Sequence, residues 1–282
     1  MRLITLTTDF GFQDWFVGAM KGVILGIAPR TRVVDLTHGI PRGDIGAGAF
    51  ALAAACQCFP PDTIHVAVVD PGVGGPRAGI AVQTASHVWV GPDNGVLSIA
   101  LQQEKIRSVR RLENDAFFRH PVSRTFHGRD LFAPVAAHLS RGVPISRLGP
   151  AQADLVRLPW PSPKRQGNRW RGEIVYIDRF GNAITNLPTD PFGERGRLTV
   201  SVRRQTDCPV MRCYEEGPAG QLIGVCGSAG FLELAVKNRS AAEAFQLMIG
   251  DAVRCGGHRS AKSRRLPVAV FAQGLVKDRG AD

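Results

Sequence analysis

The sequence predicts an α/β protein, an N-terminal, mostly parallel α/β sandwich followed by a smaller C-terminal β-barrel-like domain. Three observations carry this expectation. In the first half, short apolar runs alternate with segments of helical period, the pattern of parallel strands joined by crossover helices. The composition then breaks at Pro159-Trp-Pro-Ser-Pro-Lys-Arg-Gln-Gly-Asn168, where repeated prolines followed by polar residues read as a linker. Beyond it, brief strand-like runs separated by turn residues leave room for one short helix, as in small antiparallel barrels. The expected boundaries are 1–158 for the α/β domain, 159–170 for the linker and 171–282 for the β domain.

Leu3 to Thr8 alternates like a strand, and Asp14 to Ile27 carries apolar residues at helical spacing until Pro29 stops it. Thr31 to Leu36 is a second strand, and Ile45 to Phe59 an alanine-rich helix closed by Pro60-Pro61. Thr63 to Val69 is almost wholly apolar, as a strand covered on both faces must be. Two further strands, Gly79 to Thr84 and His87 to Val90, lead to the turn Gly91-Pro-Asp-Asn-Gly95, and a helix is expected over Asp130 to Leu139. In the second domain the strands expected are Arg171–Ile177, Arg197–Val202, Gln221–Cys226, Phe231–Val236, Ala252–Cys255 and Val268–Gln273, with a helix over Ala241–Met248.

The chain is 44% hydrophobic and 21% charged, which fits a soluble globular protein rather than a disordered one. No apolar run is long enough to span a bilayer, and the N-terminus meets Asp9 before any signal-like apolar stretch develops, so a cytoplasmic location and no membrane partner are expected. The six cysteines form no C-x-x-C pair and no zinc spacing with histidine, so no metal is expected. A net charge of +11 raises the question of nucleic acid. The basic clusters Arg195–Arg204 and His258–Arg265 lack interleaved aromatic residues for base stacking. Nucleic acid is therefore not an expected partner, and a basic nucleotide- or RNA-binding module stands as an alternative to an enzyme.

The richest segment is Thr63-Ile-His-Val-Ala-Val-Val-Asp-Pro-Gly-Val-Gly-Gly-Pro-Arg77. A strand delivers Asp70 into a turn where Gly72, Gly74 and Gly75 permit positive φ and close backbone approach, and Pro71 and Pro76 stiffen it. A dinucleotide or methyltransferase glycine loop would continue into a helix whose N-terminus faces the ligand, whereas Ala78 to Thr84 reads as another strand. Asp9 ends the first strand, placed either to accept two hydrogen bonds from a vicinal diol such as ribose or to cap the helix near Asp14. Thr125-Phe-His-Gly-Arg-Asp130 offers His127, suited to proton handling, while Arg129 and Asp130 read as a local ion pair or helix cap. Asp178-Arg-Phe-Gly-Asn-Ala-Ile-Thr-Asn186 and Gly227-Ser-Ala-Gly230 combine Asp, Asn, Ser and Gly, which serve ordinary hairpins as readily as ligands.

In order along the chain, Thr8-Asp-Phe-Gly11, Phe16-Val-Gly18 with Met20-Lys-Gly22, Asp70-Pro-Gly-Val-Gly74 with Arg77, Pro92-Asp-Asn-Gly95, Thr125–Asp130, Phe180-Gly-Asn182 with Thr185-Asn186, and Gly227-Ser228 together resemble the S-adenosyl-L-methionine hydroxide adenosyltransferase family, related to fluorinases and chlorinases. The resemblance implies the two-domain α/β and β-barrel fold and a homotrimer with active sites between subunits. It also implies hydrolysis of S-adenosylmethionine, as substrate and with no cofactor, to adenosine and methionine. On it, Asp70, Arg77 and His127 correspond to the set that positions and activates water, and Asp9 to the ribose-binding carboxylate. Asp178 and Ser228 correspond to groups holding the methionine amine and carboxylate, and Asn182 to a group near the adenine.

The halogenases of this resemblance carry tyrosine in place of both Asp70 and His127, and a buried carboxylate repels an incoming halide, so water is the expected nucleophile over chloride or fluoride. The chain departs from its relatives' pattern at Arg42 and Gly43, and Ala229 stands where the fluorinase pattern has arginine.

Overall fold

The computed structural model describes residues 2–167, 169–189 and 198–257, and the chain divides into two units, Met1–Pro159 and Trp160–Asp282. The first unit is built on a six-stranded sheet. Its strands are β1 (Ile4–Thr8), β2 (Val33–Thr37), β3 (Ile64–Val68), β4 (Gly79–Thr84), β5 (Val88–Pro92) and β6 (Ile106–Arg111), in the order β2-β1-β3-β5-β4-β6. The first four in that order are parallel, and β4 runs antiparallel to both β5 and β6. The helices are α1 (Phe16–Ile27), α2 (Ile45–Cys56), the single turn α3 (Ser98–Leu101) and α4 (Ala133–Ser140).

Strand alternation decides which helix covers which face. Ile4 and Leu6 of β1 and Ile64, Val66 and Val68 of β3 pack with Met20 and Ile24 of α1 and Val135 and Leu139 of α4 in one apolar core. The opposite face, with Thr5, His65 and Val69, lies beneath α2, whose alanines and glycines let it approach closely. A Cβ on Gly48 would stand 2.9 Å from Val69 Cγ2. Asp44 caps α2 by accepting the Ala47 N–H at 2.8 Å, and the helix ends at Cys56, three residues before the expected Phe59.

The second unit is a closed barrel. Its strands are β7 (Lys164–Gln166), β8 (Arg169–Ile177), β9 (Ala183–Pro188), β10 (Leu198–Val202), β11 (Gln205–Met211), β12 (Ile223–Cys226), β13 (Phe231–Ala235) and β14 (Ala252–Gly257). Pairing runs β14-β10-β11-β12-β13-β9-β8, and β8 pairs back onto β14, so seven strands close the ring with β7 laid beside β8. Closure removes the unpaired edges an open sheet would leave. The short helix α5 (Ala241–Phe245), capped by Ser240, ends where Gln246 turns left-handed at φ 52, before the expected Met248.

Four strands escaped the sequence reading, each for a physical reason. β6 carries Arg107, Arg110 and Arg111, whose charges mask its alternation at the sheet edge. β9 lies inside a segment whose Asp, Asn and Gly read as a turn. β11 contains Pro209, which normally demotes a run from strand status. β7 lies inside the proline-rich stretch. The expected strand Val268–Gln273, the basic cluster His258–Arg265 and part of the cluster Arg195–Arg204 fall outside the described residues. Among the described residues, no helix is long and apolar enough to cross a membrane.

Candidate active site

The carboxyl ends of β1, β2 and β3 meet where ligands gather in parallel α/β sheets. Asp9 follows β1 and does not cap α1, whose N-cap position is Trp15 with no side-chain cap bond. Its Oδ2 instead accepts the Gly43 N–H at 2.8 Å. Gly43 sits at φ 69, and a Cβ there would lie 3.7 Å from Pro71, so the Asp9 and Asp70 loops are neighbours. Of the two roles open to Asp9, the helix cap is thereby excluded.

Asp70 is two residues beyond β3 and its side chain is only 4% exposed. Burial of a carboxylate demands a counter-charge. Arg77 supplies it, with Nε 3.0 Å from both Asp70 oxygens and Nη2 bonded to Oδ2 as well. The turn makes this return possible through bonds from Val73 N to Asp70 O and from Gly75 N to Gly72 O. Gly74 has φ 77, and a Cβ there would collide with the Arg124 carbonyl. Glycine is thus needed twice over at this position, for its backbone angle and for packing against the segment that carries His127. Asn94 supports the same loop, donating from Nδ2 to the Val69 carbonyl at 2.8 Å. The sequence placed Asn94 in a turn motif but did not assign it this role.

Arg77 also reaches His127, with Nη2 2.8 Å from Nδ1, while its guanidinium lies 5.5 Å from the Phe132 ring centroid. The three groups thus stand in an Asp–Arg–His line. The arrangement decides the histidine tautomer. An arginine N–H can only donate, so Nδ1 must offer its lone pair and the ring proton resides on Nε2. Burial first, and the Arg77 charge second, lower the His127 pKa below its ordinary value, with Asp70 and Asp130 opposing.

Asp130, three residues after His127, is fully buried. Asp130 accepts from Arg129 Nε at 2.7 Å, Arg119 Nη1 at 3.1 Å and Ser123 N at 2.9 Å. These partners, Arg129 first, hold its carboxyl below the usual range although burial alone would raise it. The expected Arg129–Asp130 ion pair is present. Gly128–Phe132 forms a π-turn leading into α4 rather than a plain helix start, and such turns recur at functional sites.

In the second unit, Asp178 and Asn182 close the β8–β9 hairpin on each other. Asp178 Oδ1 accepts from Phe180 N at 2.9 Å and Asn182 N at 2.8 Å, and Oδ2 accepts from Asn182 Nδ2 at 3.0 Å. Gly181, at φ 80, completes the turn and leaves Phe180 77% exposed. Ser228 is exposed in the turn between β12 and β13, closed by Gly227 N to Phe231 O and Gly230 N to Gly227 O. Behind this turn lies the buried Glu233, which accepts the Tyr214 hydroxyl at 2.5 Å. Burial raises the Glu233 pKa and Asp178 adds to the rise, against the Tyr214 hydrogen bond. The sequence reading missed both Glu233 and Tyr214, since neither lies in a turn motif. Among the described residues, no three His, Cys, Asp or Glu side chains stand together as metal ligands would.

Comparison with known proteins covers most of the chain. The profile for the SAM hydroxide adenosyltransferase N-terminal domain matches residues 4–149, and that for the C-terminal domain residues 172–254. A Salinispora tropica protein named (R)-S-adenosyl-L-methionine hydrolase is 39% identical over 259 residues, 89% of this chain and 96% of its own. A protein named fluorinase from an Actinoplanes species is more distant, at 25% identity over 88% of this chain and 95% of its own. A crystal structure of an uncharacterized conserved protein from Thermotoga maritima superposes with a TM-score of 0.84 at 34% identity, covering 90% of this chain and 99% of that one.

Proposed function

The chain belongs to the SAM hydroxide adenosyltransferase family, and on that premise we propose that it hydrolyses S-adenosyl-L-methionine to adenosine and L-methionine. The observation that carries this reading is the Arg77 guanidinium, held by both oxygens of Asp70 and reaching Nδ1 of His127. Water attacks the ribose C5′ as the C5′–S bond breaks, and the bonding pair leaves on sulfur as a neutral thioether. The leaving group therefore needs no acid. One water proton must go to a base and then to solvent, so the sulfonium charge of the substrate leaves as H⁺.

Of the two candidate bases, the geometry favours Asp70. Nδ1 of His127 is occupied by an arginine donor and Nε2 carries the proton, so His127 acts as a donor that orients the water. Asp70 Oδ1, which meets only the Arg77 Nε while Oδ2 takes both donors, keeps a second lone pair. Its carboxylate takes the water proton while Arg77 stabilises the developing hydroxide. Holding the water in line with the C5′–S bond contributes alongside basicity. In the same reading Asp9 binds the ribose hydroxyls, Asp178 and Ser228 hold the methionine amine and carboxylate, and Asn182 lies near the adenine.

The homotrimer with sites shared between subunits, and a cytoplasmic location, belong to this reading too. Large apolar side chains stand exposed near the site loops, Phe12 at 68% and Trp15 at 69% in the first unit and Phe180 in the second. In this reading the ligand or another subunit covers them. All six cysteines are free thiols, as a reducing compartment would keep them.

The purified protein incubated with S-adenosylmethionine should release adenosine and methionine in equal amounts, and His127→Ala or Asp70→Ala should abolish release while substrate still binds. No adenosine after long incubation overturns the reading. A 5′-halo product with chloride or fluoride present would point to the halogenase branch, and salt-sensitive retention on RNA without turnover to a binding module.

A further inference from the structure

His38, which none of the assigned roles involves, is 1% exposed at the end of β2. It reaches that position through an irregularity in the β1–β2 register, between Leu6 paired with Asp35 and Thr7 paired with Thr37, which brings His38 beside Thr8. Its Nδ1 is 2.8 Å from Thr8 Oγ1, and its Nε2 stands 3.0 Å from Asp35 Oδ1. Asp35 Oδ2 is in turn 2.6 Å from Lys21 Nζ on α1. Burial works to raise the Asp35 pKa, but His38 and Lys21 outweigh it and hold the group as a carboxylate.

This order of partners sets the protons. The Asp35 carboxylate, 3.0 Å from Nε2 though not aligned with it as a hydrogen bond, draws the ring hydrogen to Nε2 by its charge, which leaves Nδ1 as the acceptor and Thr8 Oγ1 as the donor. Thr8 Oγ1 also accepts the Phe10 N–H at 3.2 Å, which uses the hydroxyl in both directions. The His38 carbonyl accepts the Gly11 N–H at 2.8 Å, and the Phe12 ring meets the imidazole edge-on with centroids 4.9 Å apart. Thr8, Phe10 and Phe12 are therefore tied, directly or through Thr8, to one buried imidazole, and Gly11 to the main-chain carbonyl of the same residue. The residue they enclose is Asp9.

We propose that His38 is a positioning residue for Asp9, fixing through Thr8 the turn from which the ribose-binding carboxylate projects, with Asp35 and Lys21 setting the imidazole's tautomer. This rests on the reading that Asp9 binds the ribose hydroxyls of S-adenosylmethionine. Asp9 has one oxygen on the Gly43 N–H, and the inference is that its remaining capacity meets the diol only while the turn is held. A looser turn would weaken binding of the ribose without removing any group from the water site.

The test compares S-adenosylmethionine with its 2′-deoxyadenosyl analogue, on wild-type protein and on His38→Gln, His38→Asn and Thr8→Val. Wild-type protein should prefer the ribosyl substrate. His38→Gln should raise KM for S-adenosylmethionine about tenfold, the worth of a well-placed hydrogen bond, and narrow the preference over the deoxy analogue. Because the loss is in binding, kcat should stay within about threefold. His38→Asn, whose side-chain oxygen can take the place of Nδ1, should restore KM and preference in part. Thr8→Val removes only the hydroxyl's bonds and should behave as His38→Gln does, giving a second route if the histidine variant does not fold. Unchanged KM and preference in the variants overturn the proposal, as does a loss of kcat and thermal stability with the preference intact. A wild-type protein that turns over both substrates alike removes the role of Asp9. One that releases no adenosine removes the function itself.

Discussion

Asp70 and His127 divide the chemistry through what Arg77 does to each, and this division yields two expectations. Asp70→Asn keeps the shape of the side chain but removes the base and half of a buried ion pair. It should lower kcat about 10²- to 10⁴-fold, the usual worth of a general base, while calorimetry still detects substrate binding. A variant retaining wild-type kcat would move the base elsewhere. His127 must stay neutral to accept the Arg77 N–H, and burial and the Arg77 charge lower its pKa from 6.5. Activity lost through its protonation therefore falls away only below about pH 6.5, the ordinary histidine value. A pH profile of kcat/KM with its acid limb above 7 would contradict this. At this scale the sequence named Asp70, Arg77, His127 and Asp9 without ordering them. Nothing in residue types or spacing says that the arginine folds back across seven positions to stand between Asp70 and His127.

Among the elements, the loop after β3 and the buried face of β3 itself make separable predictions. Gly74→Ala places a methyl group against the Arg124 carbonyl at a positive φ, so either the loop shifts or the His127 segment does. A displacement near 1 Å at such a site costs on the order of 10²-fold in rate. The variant should lose activity well beyond its loss of thermal stability, and near-normal kcat would show the loop to be more tolerant than its packing implies. His65, on the β3 face under α2, bonds Thr5 Oγ1 at 2.8 Å and is pushed down to about 3 by burial and then by His87. Between pH about 6.5 and about 3 the unfolded chain binds the proton that the folded protein refuses. Stability is therefore full above 6.5 and declines as pH falls through that window, by up to about 1.4 kcal/mol per pH unit. His65→Phe should flatten the fall of Tm with acid, and an unchanged slope would place the acid sensitivity on other groups. The apolar parallel strands were legible because burial on both faces leaves an uninterrupted hydrophobic run. β6, β9 and β11 were not, since arginines, turn residues and a proline at a barrel strand look like loop when the neighbouring strand is unseen.

For the whole molecule, the proposed trimer predicts that sedimentation gives the mass of three chains, and a monomer would remove the shared-site reading. It predicts further that Asp70→Ala and Asp178→Ala chains, each inactive alone, regain activity when mixed and reassembled, because some sites then draw both intact residues from different chains. No regain with confirmed mixing would confine each site to a single chain. By itself the sequence determined the two-part α/β and barrel architecture, the strand ends on which Asp9 and Asp70 sit, and the motif series that marks the family. These are local properties, written in periodicity, in turn residues and in the order of motifs. Only the tertiary structure decided that Arg77 joins Asp70 to His127, that Gly74 must yield to the Arg124 carbonyl, and that a buried His38 grips the turn around Asp9. Each of those contacts joins residues on separate loops or strands. Their partners are chosen by how the sheet brings its carboxyl ends together and by the need of buried charges and hydrogen-bonding groups for partners, which no local stretch of sequence states.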